Sequence, residues 1–150
     1  MTSVHVLNGP NLNLLGSRRP EVYGSTTLPA VEDLCRAEAT RLGLDLVFRQ
    51  SNHEGQLIDW IQEAGALVKA GEAIGAVFNP GAYTHTSVAL HDAIEGTELP
   101  VVEVHISNVH RRESFRHHSY ISLVARGTIV GLGVDGYRLA IDALQRMSQA

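Results

Sequence analysis

Short apolar runs alternate along the chain with stretches whose apolar residues recur at helical spacing, and this alternation narrows the possible folds more than any other feature. Strand signals fall at 4–8, 44–49, 74–79, 101–106 and 128–130. Between them, Val31, Leu34, Cys35, Ala39 and Leu42 line one face of a helix over 27–42 that Gly43 ends. Leu57, Trp60, Ile61, Ala64, Leu67 and Val68 do the same over 56–70, which stops at Gly71. Further helices are expected over 86–95 and 137–147. Strands separated by helices pair in parallel and are covered on both faces. Five of them in one chain fit a flavodoxin-like, three-layer α/β fold with a five-stranded parallel sheet. At 150 residues the chain holds one core, so 1–150 is expected to be a single domain.

Three of these strands run into polar turns. Asn8-Gly9-Pro10-Asn11-Leu12-Asn13 follows the first strand, Asn79-Pro80-Gly81-Ala82-Tyr83-Thr84-His85 the third, and His105-Ile106-Ser107-Asn108 the fourth. Ligands of open parallel sheets bind in the crevice outside the carboxyl ends of the strands. Amides, hydroxyls and imidazoles recurring at that one edge point to a pocket for a small, hydroxyl-rich molecule, and to an enzyme.

Several other classes are disfavoured. With 44% hydrophobic and 19% charged residues the chain reads as globular. Its net charge of −4 argues against nucleic acid, whose phosphates need a broad basic surface. No apolar run approaches the roughly 20 residues that span a bilayer. The N-terminal apolar stretch is broken at His5 and Asn8, unlike a signal peptide, and the single cysteine, Cys35, suits a reducing cytoplasm. Lys69 is the only lysine and sits at a helix end next to Ala70-Gly71, a poor place for a Schiff base. Gly131-Leu132-Gly133-Val134-Asp135-Gly136 has the spacing of a dinucleotide fingerprint, but the sequence stops at Ala150 without the following strand and acidic residue. Those glycines are expected to shape a tight turn. The eight histidines are scattered, with no pair at metal-ligand spacing, so no metal is expected. His5, His53 and His110 are read as structural or exposed, and the adjacent His117 and His118 should point apart.

Two groupings carry chemistry. Alternation places Glu103 and His105 on the same side of their strand, where a carboxylate fixes the tautomer of the imidazole and raises its basicity, as a general acid requires. The loop over 9–25 holds Arg18, Arg19 and Tyr23 among Pro and Gly residues. A loop of that length in a compact domain is a candidate lid. Taken alone, the preferred reading is an exposed Arg-rich loop; the alternative is that a guanidinium beside the phenol favours tyrosinate and makes Arg18 with Tyr23 a base for removing a carbon-bound proton.

Taken together, the blocks Asn8 to Gly16, Arg18 to Gly24, Gln50-Ser51-Asn52-His53-Glu54-Gly55, Asn79 to Ser87, Glu103 to Asn108 and Phe115-Arg116-His117-His118-Ser119-Tyr120 closely resemble the type II 3-dehydroquinate dehydratase family, in order along nearly the whole chain. The resemblance implies dehydration of 3-dehydroquinate to 3-dehydroshikimate by anti elimination through an enolate, in the shikimate route to aromatic amino acids or in quinate breakdown. It implies a flavodoxin-like fold, no metal or organic cofactor, and a homododecamer of four trimers. Carried over by motif, Tyr23 is the base and Arg18 holds it. Asn11 stabilises the enolate, and His105, oriented by Glu103, protonates the departing hydroxyl. Asn79, His85, Ile106, Ser107 and Arg116 hold the hydroxyls and carboxylate of the substrate. Asp92 corresponds to a residue that reaches a neighbouring subunit's site. The chain departs from the family at Arg18-Arg19-Pro20, where Arg-Glu-Pro is usual, which exchanges an acid beside the catalytic arginine for a second cation.

Two competing readings have weaker support. A non-enzymatic flavodoxin-like module for a nucleotide or a protein would need a phosphate loop after the first strand, and Gly9-Pro10-Asn11-Leu12-Asn13 lacks its Ser/Thr-rich or glycine-rich amides. A metal-assisted hydrolase is the alternative within the enzyme class.

Overall fold

The computed structural model describes residues 1–17 and 19–150. Arg18, assigned above to the base, lies outside the described residues. The strands are β1 (Ser3–Asn8), β2 (Asp45–Gln50), β3 (Ala73–Asn79), β4 (Val101–His105) and β5 (Gly127–Val130), and the helices α1 (Pro20–Tyr23), α2 (Leu28–Arg41), α3 (Glu54–Lys69), α4 (Val88–Thr97) and α5 (Asp135–Ser148). The sheet order is β2-β1-β3-β4-β5, all parallel, which is the flavodoxin-like order expected. Expected and observed ends agree to within about two residues.

Each central strand serves two cores. Along β1, Val4 and Val6 face α2 and α5, joining Val31, Cys35, Ala39, Tyr137 and Ile141. Leu7 points the other way, with Phe78, toward Leu57 and Ile61 of α3 and Leu90 and Ile94 of α4. Full burial of a Val, Leu, Ile or Phe side chain contributes roughly 1.5–3 kcal/mol, so these two layers carry most of the stability. Helix starts reinforce the layers: the Thr27 side chain accepts from the Ala30 N–H, and Ser87 accepts from Leu90 N–H while donating to Glu54 of α3 at 2.5 Å. No helix of the described residues is long and apolar enough to cross a membrane.

The 9–25 loop is more structured than its breakers suggest. Leu12–Leu14 form a 3-10 turn and Pro20–Tyr23 a short helix. Leu12 and Leu15 are buried beneath this segment, and Pro20 stands at the start of the short helix, where its fixed φ and missing N–H cost nothing.

His5 is the one buried polar side chain on β1 that points between sheet and helices without full satisfaction. Its Nε2 meets Ser3 Oγ at 3.2 Å, while Nδ1 is buried with no partner among the described residues. Burial, helped by the Arg49 charge, pushes its pKa below the ordinary value. The unfolded chain therefore binds a proton here that the native state resists, and stability is lost as pH falls below about 6.5. Thermal unfolding followed from pH 7 to 5 should show a falling midpoint, and His5→Val should flatten that dependence; an unchanged slope in the variant would assign the acid sensitivity to other groups.

Candidate active site

The site is assembled where the sheet changes direction. β2 and β3 flank β1 on opposite sides, and the loops leaving β1 and β3 part around a cleft. These two loops touch through glycine. A Cβ at Gly9 would lie 2.4 Å from the Pro80 carbonyl oxygen, and Gly81, at φ 59°, approaches the Pro10 carbonyl in return. Below them, a buried chain of hydrogen bonds joins the strand ends. Asn79 Nδ2 donates to Tyr137 Oη at 2.8 Å, and Tyr137 donates onward to Asn8 Oδ1 at 2.7 Å. Burial raises the Tyr137 pKa far above its ordinary range, so the phenol keeps that proton. With Asn79 Oδ1 also accepting from Gly81 N–H, the Asn79 amide is held in one orientation at the cleft wall.

Asn11 reaches the cleft through a left-handed backbone, φ 69°, that asparagine tolerates better than most residues. Its N–H donates to Asn52 Oδ1 at 3.0 Å, and Gln50 Nε2 ties Asn52 Oδ1 to the Gly9 carbonyl. The Gln50-Ser51-Asn52 block therefore acts on the site by holding the turn after β1.

At the end of β4 the expected pair is formed. His105 Nε2 lies 2.5 Å from Glu103 Oε2, with both side chains buried. Thr84 Oγ1 and Ser119 Oγ donate to the same carboxylate oxygen at 2.6 and 2.8 Å, and Ser122 Oγ donates to the other. Burial alone would raise the Glu103 pKa, but the bonds and charge from His105 and the hydroxyls outweigh it and hold the carboxyl at about 2. His85 Nδ1 donates to the His118 carbonyl at 2.8 Å, which leaves Nε2 as the acceptor of that ring. Burial, with Arg116 and His105 nearby, lowers the His85 pKa.

Tyr23, at the end of α1, lines the same cleft, together with Ile106, Ser107 and Arg116. Arg112 was not anticipated from sequence. Its Nη1 donates to Tyr23 Oη at 2.7 Å and its guanidinium lies over the Tyr23 ring, while a 3.4 Å contact reaches Ser107 Oγ. Its Nη2 is buried with no hydrogen-bond partner among the described residues. The available signal was a second arginine four residues before Arg116, but Arg111 beside it competed for the same role. Arg116 donates to Glu113 at 2.8 Å and keeps a face on the cleft. Arg19 pairs instead with Glu21 at 3.2 Å in an exposed bridge.

One expected residue stands apart. Asp92 is exposed on α4, bonded to His91 Nδ1 at 2.9 Å, and takes no part in lining this chain's cleft. The late glycines form the turn expected of them: Gly131 and Gly133 have positive φ, and a Cβ at Gly131 would meet Asn108 at 2.8 Å. Lys69 is exposed at the last turn of α3. Among the described residues no three of His, Cys, Asp and Glu converge as metal ligands.

Comparison with known proteins places the chain in a family. The model for dehydroquinase class II matches residues 2–145. The chain is 67% identical to a 3-dehydroquinate dehydratase of Acidovorax sp. JS42 over 142 residues, covering 95% of this chain and 96% of that protein. It is 65% identical to a 3-dehydroquinate dehydratase 2 of Ralstonia nicotianae, covering 96% and 94%. The crystal structure of a type II dehydroquinase from Butyrivibrio crossotus superposes with a TM-score of 0.90 at 43% identity, covering 95% of this chain and 97% of that one.

The Asn8–Tyr137–Asn79 bridge makes a stability prediction of its own. Tyr137→Phe keeps the packing and strips one acceptor and one donor from two buried amides. The cost should be about 1–3 kcal/mol, read from urea denaturation; a loss below a few tenths would mean that water replaces the hydroxyl.

Proposed function

The chain belongs to the class II dehydroquinase family and dehydrates 3-dehydroquinate, and from that premise we propose that Tyr23 and His105 divide the elimination as base and acid. The observation that carries this reading is a single cleft bearing a phenol bonded to a guanidinium and an imidazole bonded to a buried carboxylate. Loss of water from 3-dehydroquinate to give 3-dehydroshikimate needs a proton removed from carbon next to a ketone, then a hydroxyl expelled from the neighbouring carbon. Hydroxide is a poor leaving group, so the second step needs a proton donor.

Tyr23 removes the first proton. A guanidinium donating to the phenolic oxygen stabilises negative charge there, and Arg112 supplies that contact. The family motif assigns Arg18 to the same task, and Arg19, paired with Glu21, belongs to the solvent side. The electron pair released by the C–H bond moves onto the ketone oxygen as an enolate, stabilised around Asn11 through an ordered water. His105 then protonates the departing hydroxyl, with Glu103 fixing the ring. Asn79, His85, Ile106, Ser107 and Arg116 hold the hydroxyls and the carboxylate of the substrate; the planar fork of Arg116 matches a carboxylate. No metal or organic cofactor enters these steps.

The 9–25 segment, which carries both Asn11 and Tyr23, serves as a lid. The working form is a homododecamer of four trimers in the cytoplasm. Asp92 and Val88 stand one turn apart on α4, both exposed, which suits a helix face that meets a neighbouring subunit and lends Asp92 to that subunit's site.

The assay is the rise of near-ultraviolet absorbance from the conjugated enone when purified protein meets 3-dehydroquinate. Tyr23→Phe keeps the ring and loses the hydroxyl, so turnover should fall about 10²–10⁴-fold with KM little changed; retained turnover would move the base elsewhere. In deuterium oxide, His105→Ala should exchange the proton alpha to the ketone faster than it forms product. Equal loss of exchange and turnover would place His105 in the first step or in positioning alone.

A further inference from the structure

Glu103 has more partners than orienting one imidazole requires. It is fully buried, and besides His105 Nε2 it faces the hydroxyls of Thr84, Ser119 and Ser122, with Thr128 Oγ1 at 3.5 Å. Ser119 Oγ already accepts from the N–H groups of Ile121 and Ser122, so its one proton points to the other side, where Glu103 lies at 2.8 Å and Thr84 Oγ1 is also in contact. A carboxylate accepts from all of these donors at once, whereas a protonated carboxyl would have to give one of them up by donating itself. The cage comes from two segments distant in sequence: Thr84 sits in the turn after β3, and Ser119 and Ser122 in the segment leading to β5.

None of the other charged and titratable groups nearby bonds Glu103 among the described residues. His85, His110, Arg116, His117 and His118 border the same cavity as Glu103. His85 bonds the His118 carbonyl, Arg116 bonds Glu113 and His117 bonds the Arg112 carbonyl. His118 stacks edge-on against Tyr120, and His110 lies 5.9 Å from the His117 ring. The hydroxyls are thus the groups that, with His105, decide the charge of Glu103.

We propose that Thr84, Ser119 and Ser122 are positioning residues of the acid step, which hold the charge on Glu103 and so keep His105 protonated on both ring nitrogens. The inference rests on the assignment of His105 as the acid. With Nε2–H committed to Glu103, Nδ1, which has no hydrogen bond to a described residue, presents the proton to the substrate. In the step itself the enolate oxygen re-forms its carbonyl and the electron pair of the enolate double bond moves one bond along. The carbon–oxygen bond breaks, and the oxygen leaves as water with the Nδ1 proton. His105 ends neutral, with Nε2–H still on the carboxylate, and takes up a proton from solvent; the proton that Tyr23 removed from carbon returns to solvent. Without the cage a buried carboxylate would claim the Nε2 proton and leave a neutral imidazole, a far weaker donor at Nδ1.

The test compares Ser122→Ala, Thr84→Val and Thr84→Ser with His105→Ala as reference. Ser122 is exposed and, among the described residues, its hydroxyl bonds only Glu103 and Thr128, so its removal leaves the backbone turn intact. The first readout is the ratio of solvent-deuterium exchange alpha to the ketone to product formation. The second is the downfield proton NMR signal of His105 Nε2–H. Ser122→Ala and Thr84→Val should each raise the ratio about tenfold, the scale of one hydrogen bond to a charged group, and shift that signal. Thr84→Ser, which keeps the hydroxyl, should stay near the parent. An unchanged ratio and signal in Ser122→Ala, or a Thr84→Ser variant as impaired as Thr84→Val, would overturn the proposal while a raised ratio in His105→Ala left the acid assignment standing. No rise in His105→Ala would remove both.

Discussion

The contact between the loops leaving β1 and β3 is the constraint from which the rest of the site follows. Neighbouring parallel strands lie roughly 4.8 Å apart, so the turns at their ends can touch only where side chains are absent. Gly9 against the Pro80 carbonyl and Gly81 against the Pro10 carbonyl meet that condition. Two prolines stiffen the same turns, and the Asn8–Tyr137–Asn79 bridge ties them to α5 from below. The cleft therefore has a floor that cannot shift without leaving buried amides unpaired. On that floor one wall, Asn79, is fixed, and the opposite lip, from Asn11 to Tyr23, is carried by the 9–25 segment.

The chemistry is organised by keeping two ionic groupings apart in kind. At Tyr23 the phenolic oxygen proposed to bear negative charge is met by a guanidinium. At His105 the ring proposed to deliver a proton is met by a carboxylate to which three hydroxyls donate. Each arrangement stabilises the charge its partner needs, and neither requires a second ionisable group to change state at the same moment. Burial matters to both, because a hydrogen bond to a charged group is stronger where water does not compete.

Much of this was legible along the chain. The strand-to-turn boundaries placed Asn11, Asn79, His85 and His105 at one sheet edge, and the two-residue period of β4 put Glu103 beside His105; the structure shows both. Residues quoted only for their likeness to the family proved to have identifiable work, as Asn52 does in holding the Asn11 turn. Arg112, Tyr137 and Ser122 were not found. Arg112 and Ser122 lie in irregular segments where no period tells which side chain turns inward. Tyr137 opens the last expected helix, with nothing to announce that its hydroxyl would join two asparagines.

What the sequence by itself determined is everything that rests on local periodicity and local chemistry: the order of strands and helices, the polar character of one sheet edge, and the pairing of residues two apart on a strand. Those properties depend on backbone geometry that repeats every few residues, so a window of the chain suffices to read them. The tertiary structure alone decided which side chains from distant segments meet. Arg112 and Tyr23 are brought together across 89 positions, Asn8 and Tyr137 across 129, and the hydroxyls that surround Glu103 come from segments on either side of it. Such meetings are set by how helices pack on a twisted sheet and by where the loops are pinned, and these are properties of the whole folded chain that no short stretch of it contains.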